Sequence, residues 1–148
     1  MTEGMYLLDN NALSHLSRAQ RASRFFFTRC RLPTEVLHEA KGYPDAASIR
    51  TIEYPTSASV LKQLGTIMAT VHDEDTALVN LYANKGAADP ILVACALDAT
   101  EKSAQYLFAP AWVVVSNDKA VRAKATQFGV ESWTREEFLA RSQDKWSE

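Results

Sequence analysis

Hydrophobic and polar positions follow two periods along this chain. Short continuous apolar runs, the mark of strands buried on both faces, are separated by stretches where apolar residues recur every three or four positions. The first run, Met5-Tyr6-Leu7-Leu8, leads into a helical pattern over residues 12–21. Residues 24–31, with Phe25-Phe26-Phe27, predict a second strand, and Pro33 opens a helix that Gly42 and Pro44 stop. A third strand is predicted over 49–54, then two helices over 57–71 and 73–84 that part at His72, the second closed by Gly86. Asp89-Pro90 starts a helix to about residue 102, and 111–116, with Trp112-Val113-Val114-Val115, is the clearest buried strand. A helix over 118–127, ended by Gly129, and a strand over 130–133 follow. Thr134 and Glu137 then have capping-box spacing before a last helix. Strands alternating with helices predict an α/β fold, a mostly parallel five-stranded sheet covered on both faces. One domain over 1–141 is expected, with a polar tail over 142–148 that frays.

Composition narrows the class. A chain of 148 residues, 47% hydrophobic and 23% charged, suits one globular domain that buries a core without disulfides or a structural metal. Cys30 and Cys95 are read as free, buried thiols of a reducing compartment. No charged segment followed by a signal core stands at the N-terminus, and the apolar run from Ile91 to Leu97 is far shorter than the ~20 residues of a membrane helix. A soluble cytoplasmic protein without membrane contact is the expectation. The formal net charge of -2 gives no overall attraction for polyanions, so a nucleic acid would need a local basic patch.

The acids carry the candidate chemistry. Asp9 ends the first strand and Asp118 follows the Trp112-Val113-Val114-Val115 strand, so if these strands are neighbours both carboxylates emerge at one sheet edge. Ligands of open α/β sheets bind at that edge. Asp89 heads the helix upstream of the fourth strand, and Glu35 and Glu39 lie four residues apart on a helix that also begins at a strand end. Two carboxylates ~6 Å apart repel by roughly 3 kcal/mol at an effective dielectric near 20, so such a cluster calls for a cation. All-oxygen ligands favour Mg²⁺ or Mn²⁺, and an ion held by acids suits phosphodiester hydrolysis. Each acid also has a purely structural role open to it: Asp9, Asp89 and Asp118 as helix N-caps, Glu35 as a first-turn acid.

The order and surroundings of these acids resemble those of PIN-domain ribonucleases, in particular VapC-like toxins. Leu7-Leu8-Asp9-Asn10-Asn11-Ala12-Leu13 is similar to the opening motif, with Asn10 standing where the family has threonine or serine. Pro33-Thr34-Glu35-Val36-Leu37-His38-Glu39-Ala40 resembles the second motif and selects Glu39 over Glu35. Ala87-Ala88-Asp89-Pro90-Ile91-Leu92-Val93-Ala94 resembles the third, and Val114-Val115-Ser116-Asn117-Asp118 the fourth. The likeness spans Met5 to Leu139, and four weak motifs in order are fairly specific. It implies an α/β/α sandwich and metal-dependent endonucleolytic cleavage of single-stranded RNA. Asp9, Glu39, Asp89 and Asp118 would hold one or two Mg²⁺ or Mn²⁺ ions, with Ser116, Asn117 and Asn11 in support. It also implies an antitoxin partner and a homodimer. Glu74, in the acidic start of the helix over 73–84, is a further candidate acid that ordinary first-turn charge explains as well.

Basic residues offer a place for RNA. Arg18, Arg21, Arg24, Arg29 and Arg31 crowd a segment without acids, and Lys119, Arg122 and Lys124 follow the fourth motif. A solvated surface that balances acids elsewhere, or an antitoxin contact, accounts for them equally. His15, His38 and His72 do not pair with one another or with the acids in a way that supports metal-free ribonuclease chemistry. No glycine-rich phosphate loop is present among the 5 glycines. The alternative to a nuclease is a PIN-like module that binds RNA or protein without cutting.

Overall fold

The computed structural model describes residues 4–70 and 88–147, with Ala88 and Asp89 described by their backbone alone. The predicted helix over 73–84 and Glu74 lie outside the described residues. Five strands, β1 (Met5–Leu8), β2 (Cys30–Pro33), β3 (Glu53–Tyr54), β4 (Trp112–Val115) and β5 (Glu131–Trp133), form one sheet in the order β3-β2-β1-β4-β5. All four pairings are parallel. The predicted class is therefore observed: an α/β/α sandwich on an all-parallel sheet, consistent with a PIN-like arrangement.

The order explains the two covering layers. From β1 the chain steps outward to β2 and β3, then crosses back to β4 and steps the other way to β5. Right-handed crossovers in opposite directions place their helices on opposite faces. The first face carries α1 (Asn10–Ser14), α2 (Arg18–Arg21), α3 (Arg24–Arg29), α4 (Thr34–Glu39) and α5 (Ala46–Ile49), and the closing helix α9 (Arg135–Arg141) returns to it. The second face carries α6 (Ala58–Met68), α7 (Ala88–Ser103) and α8 (Lys119–Gln127). Strand alternation sorts the core between them. Leu7 and Val114 pack with Val60, Ile67 and the fully buried run Ile91–Ala96 on one side, whereas Leu8 and Val115 pack with Leu13, Phe26, Val36 and Phe138 on the other. A helical stretch apolar all round belongs in an interior, and the Ile91–Ala96 part of α7 is placed there, while its last turn, with Glu101 and Lys102, is exposed.

Three predicted elements are corrected. The helix over 12–21 is two helices, because the Ser17 hydroxyl accepts from the Gln20 N–H while the Gln20 side chain accepts from the Ser17 N–H, which restarts the helix. The strand over 24–31 begins only at Cys30. Ser23 caps the Phe26 N–H, and Phe25 and Phe26 are buried from helix α3. Of the strand over 49–54 only Glu53–Tyr54 pairs, since α5 and a 3-10 turn over Arg50–Ile52 take up the rest. Beyond α9, Ser142 is buried and Trp146 lies edge-on to Phe25 and Phe138, so the tail expected to fray is anchored at that ring. Both cysteines are free and buried, and burial pushes both thiols well above their ordinary pKa. No helix among the described residues is long and apolar enough to cross a membrane.

Candidate functional site

The site grows from the β1–β4 register. Leu8 pairs with Val115, and the ladder continues one step as the Asp9 N–H donates to the Val115 carbonyl at 3.2 Å. The next strand joins in the same way, with the Ser116 N–H donating to the Trp133 carbonyl at 3.0 Å. The carboxyl ends of β1, β4 and β5 thus lie side by side, with Asp9, Ser116 and the start of α9 on one rim. Strand order reverses between β1 and β4, which is where a crevice opens in sheets of this kind.

Asp9 is only 5% exposed, and its Oδ1 accepts from the Ala12 N–H at 2.7 Å, the N-cap of α1. Asp118 caps α8 by accepting from the N–H groups of Ala120 and Val121 at 2.8 and 3.1 Å, both on Oδ1, so Oδ2 stays outside the capping bonds. The capping roles open to both residues are therefore real. They do not account for the residue between them. The buried Ser116 hydroxyl accepts the Asp118 N–H at 3.1 Å, and it lies near enough to the Asp9 carboxylate to oppose the rise in its pKa. Burial holds the Asp9 carboxyl above its ordinary pKa, the Ala12 and Ser116 hydrogen bonds oppose that, and the nearby Asp118 charge adds to it. Two acids at neighbouring strand ends whose charges act on one another are an arrangement that a cation relieves.

The remaining acids are placed differently. Glu39, the last residue of α4, is exposed. Glu35, in the first turn, is half-buried, accepts from the Thr56 hydroxyl at 3.5 and 3.2 Å, and faces the Cys95 thiol closely enough to raise its pKa. Asp89 has its backbone in the first turn of α7, at the same end of the sheet because α7 runs back toward the start of β4, while its side chain is outside the described set. Among the described residues no three Asp, Glu, His or Cys side chains form a metal-binding group. The expected four-acid meeting point is thus represented, in what is described, by Asp9 and Asp118. Mg²⁺ commonly takes only one or two protein carboxylates and keeps water and substrate oxygens for the rest, so this donor pair fits a hard divalent ion.

The basic residues divide sharply. Arg21 is spent on structure: its guanidinium donates to both Asp45 oxygens at 2.9 and 3.1 Å and to the Leu16 carbonyl, and it lies over the Tyr43 ring. Arg31 donates to the Phe27 and Cys30 carbonyls. Lys124 is buried against Thr70 and Gln127. These three are removed from the expected RNA surface by packing. Arg18, Arg24 and Lys119 are exposed, and Arg122 reaches back to the Ser116 carbonyl at 3.0 Å, beside the acid pair.

The sequence does not single out Arg135. Its N–H donates to Asn117 Oδ1 at 2.7 Å, its Nη1 donates to Asn11 Oδ1 at 2.8 Å, and its Nη2 pairs with Glu136. It is also the guanidinium whose charge acts on Asp9. Asn11 and Asn117 therefore support the rim by holding Arg135, a different role from hydrogen-bonding to ligand acids. The one available signal was its position, directly after the Thr134 cap at the end of a strand.

No protein-family model matches the chain, and no curated protein is significantly similar to it.

Proposed function

We propose that this protein is a metal-dependent endoribonuclease of the PIN-domain type, acting on single-stranded RNA and serving as the toxin of a toxin–antitoxin pair. The observation that carries this reading is the Asp9–Ser116–Asp118 arrangement across the β1–β4 reversal. The order of the four sequence motifs and the five-stranded parallel sheet support it. Fold alone would not, since one fold hosts many activities.

In this reading Asp9 and Asp118 are the principal ligands, with Asp89 and Glu39 as further ones. Held by these residues, Mg²⁺ or Mn²⁺ would supply Lewis-acid activation of water and charge compensation at the phosphate oxygens. The chain's own contribution is preorganisation. The α1 and α8 amides fix one oxygen of each acid, Ser116 holds the Asp118 backbone N–H, and burial of Asp9 keeps bulk water from screening it. An antitoxin and a second copy of the chain are proposed partners on the strength of the motif resemblance.

The test is cleavage of an end-labelled single-stranded RNA. Cutting is expected with Mg²⁺ or Mn²⁺, and is expected to stop in chelator and in Asp9→Ala. The competing reading, a PIN-like module that binds without cutting, draws on the absence of a three-acid metal group among the described residues. RNA binding with no turnover in either metal would establish it and end the nuclease proposal.

A further inference from the structure

We infer that Arg135 is the RNA-phosphate-binding residue of the Asp9–Asp118 site, an assignment that rests on the nuclease reading above. The root of the side chain is fixed independently of its tip, because the Arg135 backbone N–H is held by Asn117 Oδ1 at 2.7 Å. The tip crosses from α9 to α1, where Nη1 meets Asn11 Oδ1 at 2.8 Å, two residues from Asp9 and 3.3 Å from His15 Nδ1. It thereby joins the segment that follows β5 to the segment that follows β1, on the rim where Asp9 and Asp118 lie.

The partners it has now are replaceable. Asn11 is an exposed neutral amide, and the Glu136 side chain is 59% exposed, whereas the Arg135 side chain is 22% exposed. Its tip meets those groups and the exposed His15 ring, and its charge opposes the rise that burial gives the Asp9 pKa. A guanidinium used for structure in this protein looks different. Arg21 is sealed against a bidentate carboxylate at 11% exposure and Arg31 is tied to main-chain carbonyls. Arginine offers a planar fork of donors that matches two phosphate oxygens, and such charge-assisted pairs are about twice as strong as neutral hydrogen bonds. On substrate binding the fork exchanges Asn11 and Glu136 for phosphate oxygens while Asn117 keeps the backbone in place. No covalent step is involved.

The experiment compares wild type with Arg135→Gln, Arg135→Lys and Arg141→Gln. The last makes the same charge change at the far end of α9. For each, cleavage kinetics with Mg²⁺ and binding of a short labelled single-stranded RNA in chelator across a salt series are measured, and thermal melts check folding. Arg135→Gln is expected to lose roughly 10- to 100-fold in kcat/KM, mostly through KM. Its slope of log affinity against log salt should fall by about one, a change that a structural defect alone would not produce. Arg135→Lys should keep the slope and recover part of kcat/KM, and Arg141→Gln should match wild type. Unchanged kcat/KM and salt slope in a folded Arg135→Gln would overturn the assignment. If Arg135→Gln melts early, a folded Arg135→Lys with wild-type kcat/KM would overturn the fork. A wild-type protein that neither binds nor cleaves RNA would remove the nuclease reading itself, and this inference with it.

Discussion

Asp9 carries the clearest conflict between stability and chemistry. Burial raises its pKa, so its contribution to stability is fully present below the ordinary carboxylate value of about 4 and is lost as pH rises through the raised value. Asp45 and Asp98 run the other way. The Arg21 hydrogen bonds hold Asp45 low, and for Asp98 the hydrogen bonds from Ser59, Tyr54 and Lys102 together outweigh the cost of burial. Their contributions are present above the ordinary value and fade as pH falls through their depressed ones. Asp9→Asn keeps a good helix cap and removes the buried charge. It should raise Tm at pH 7 by roughly 2–4 °C, the shift that about 1 kcal/mol gives a chain of this size, and the gain should shrink on acidification. Melts of both proteins from neutral to mildly acidic pH check this, and a lower Tm for Asp9→Asn at pH 7 would contradict it. At Asp118 the cap decides the sign. Alanine orphans the Ala120 and Val121 amides and should cost about 0.5–2 kcal/mol, while asparagine should be close to neutral.

Elements show why some of the fold was legible and some was not. β1 and β4 were plain because a strand buried on both faces must be a short apolar run, and nothing competes with Trp112-Val113-Val114-Val115 for that role. The turn after α8 was equally readable. Gly129, at φ 74°, and Val130 return their N–H groups to Thr126 and Ala125 at 3.0 and 2.8 Å, a Schellman ending that aims the chain into β5. The Phe25-Phe26-Phe27 stretch misled because aromatic residues favour strands, while the deciding signals, the hydroxyls of Ser17 and Ser23, are local and easily outweighed. β3 is the extreme case. Two residues cannot announce a strand; Glu53–Tyr54 is held by side chains, with the Tyr54 hydroxyl donating to the buried Asp98 at 2.7 Å and the Thr34 hydroxyl to Glu53 at 2.7 Å. Tyr54→Phe should therefore cost about 1–2 kcal/mol in urea unfolding and speed amide exchange in β3 more than in β1. Equal exchange rates in the two strands would show that backbone pairing, not the tyrosine, holds the edge.

At the scale of the molecule, strand ends can be read from sequence but contacts across the sheet cannot. Asp9, Ser116 and Asp118 sit at the ends of recognisable runs, so parallel pairing alone brings them together. Arg135 reaches Asn11 across a separation of 124 residues, and no local pattern encodes that. A net charge of -2 gives no overall attraction for a polyanion, so the proposed RNA binding would have to come from local basic groups such as Arg135. It also makes a clean linkage measurement possible. An ion that binds the folded Asp9–Asp118 pair and not the unfolded chain stabilises the fold by RT ln(1 + [M]/Kd), about 2.7 kcal/mol at a hundred times Kd. Millimolar Mn²⁺ or Mg²⁺ should accordingly raise the wild-type Tm, and KCl of matched ionic strength should not. The rise should disappear in Asp9→Asn and in Asp118→Asn, even though the first is the more stable protein without metal. Screening alone would shift all three proteins nearly alike, because each variant differs from the wild type by a single charge. A metal-dependent rise that survives both substitutions would place the ion elsewhere on the chain, and no rise in the wild type would leave the two carboxylates as helix caps with no ion to share.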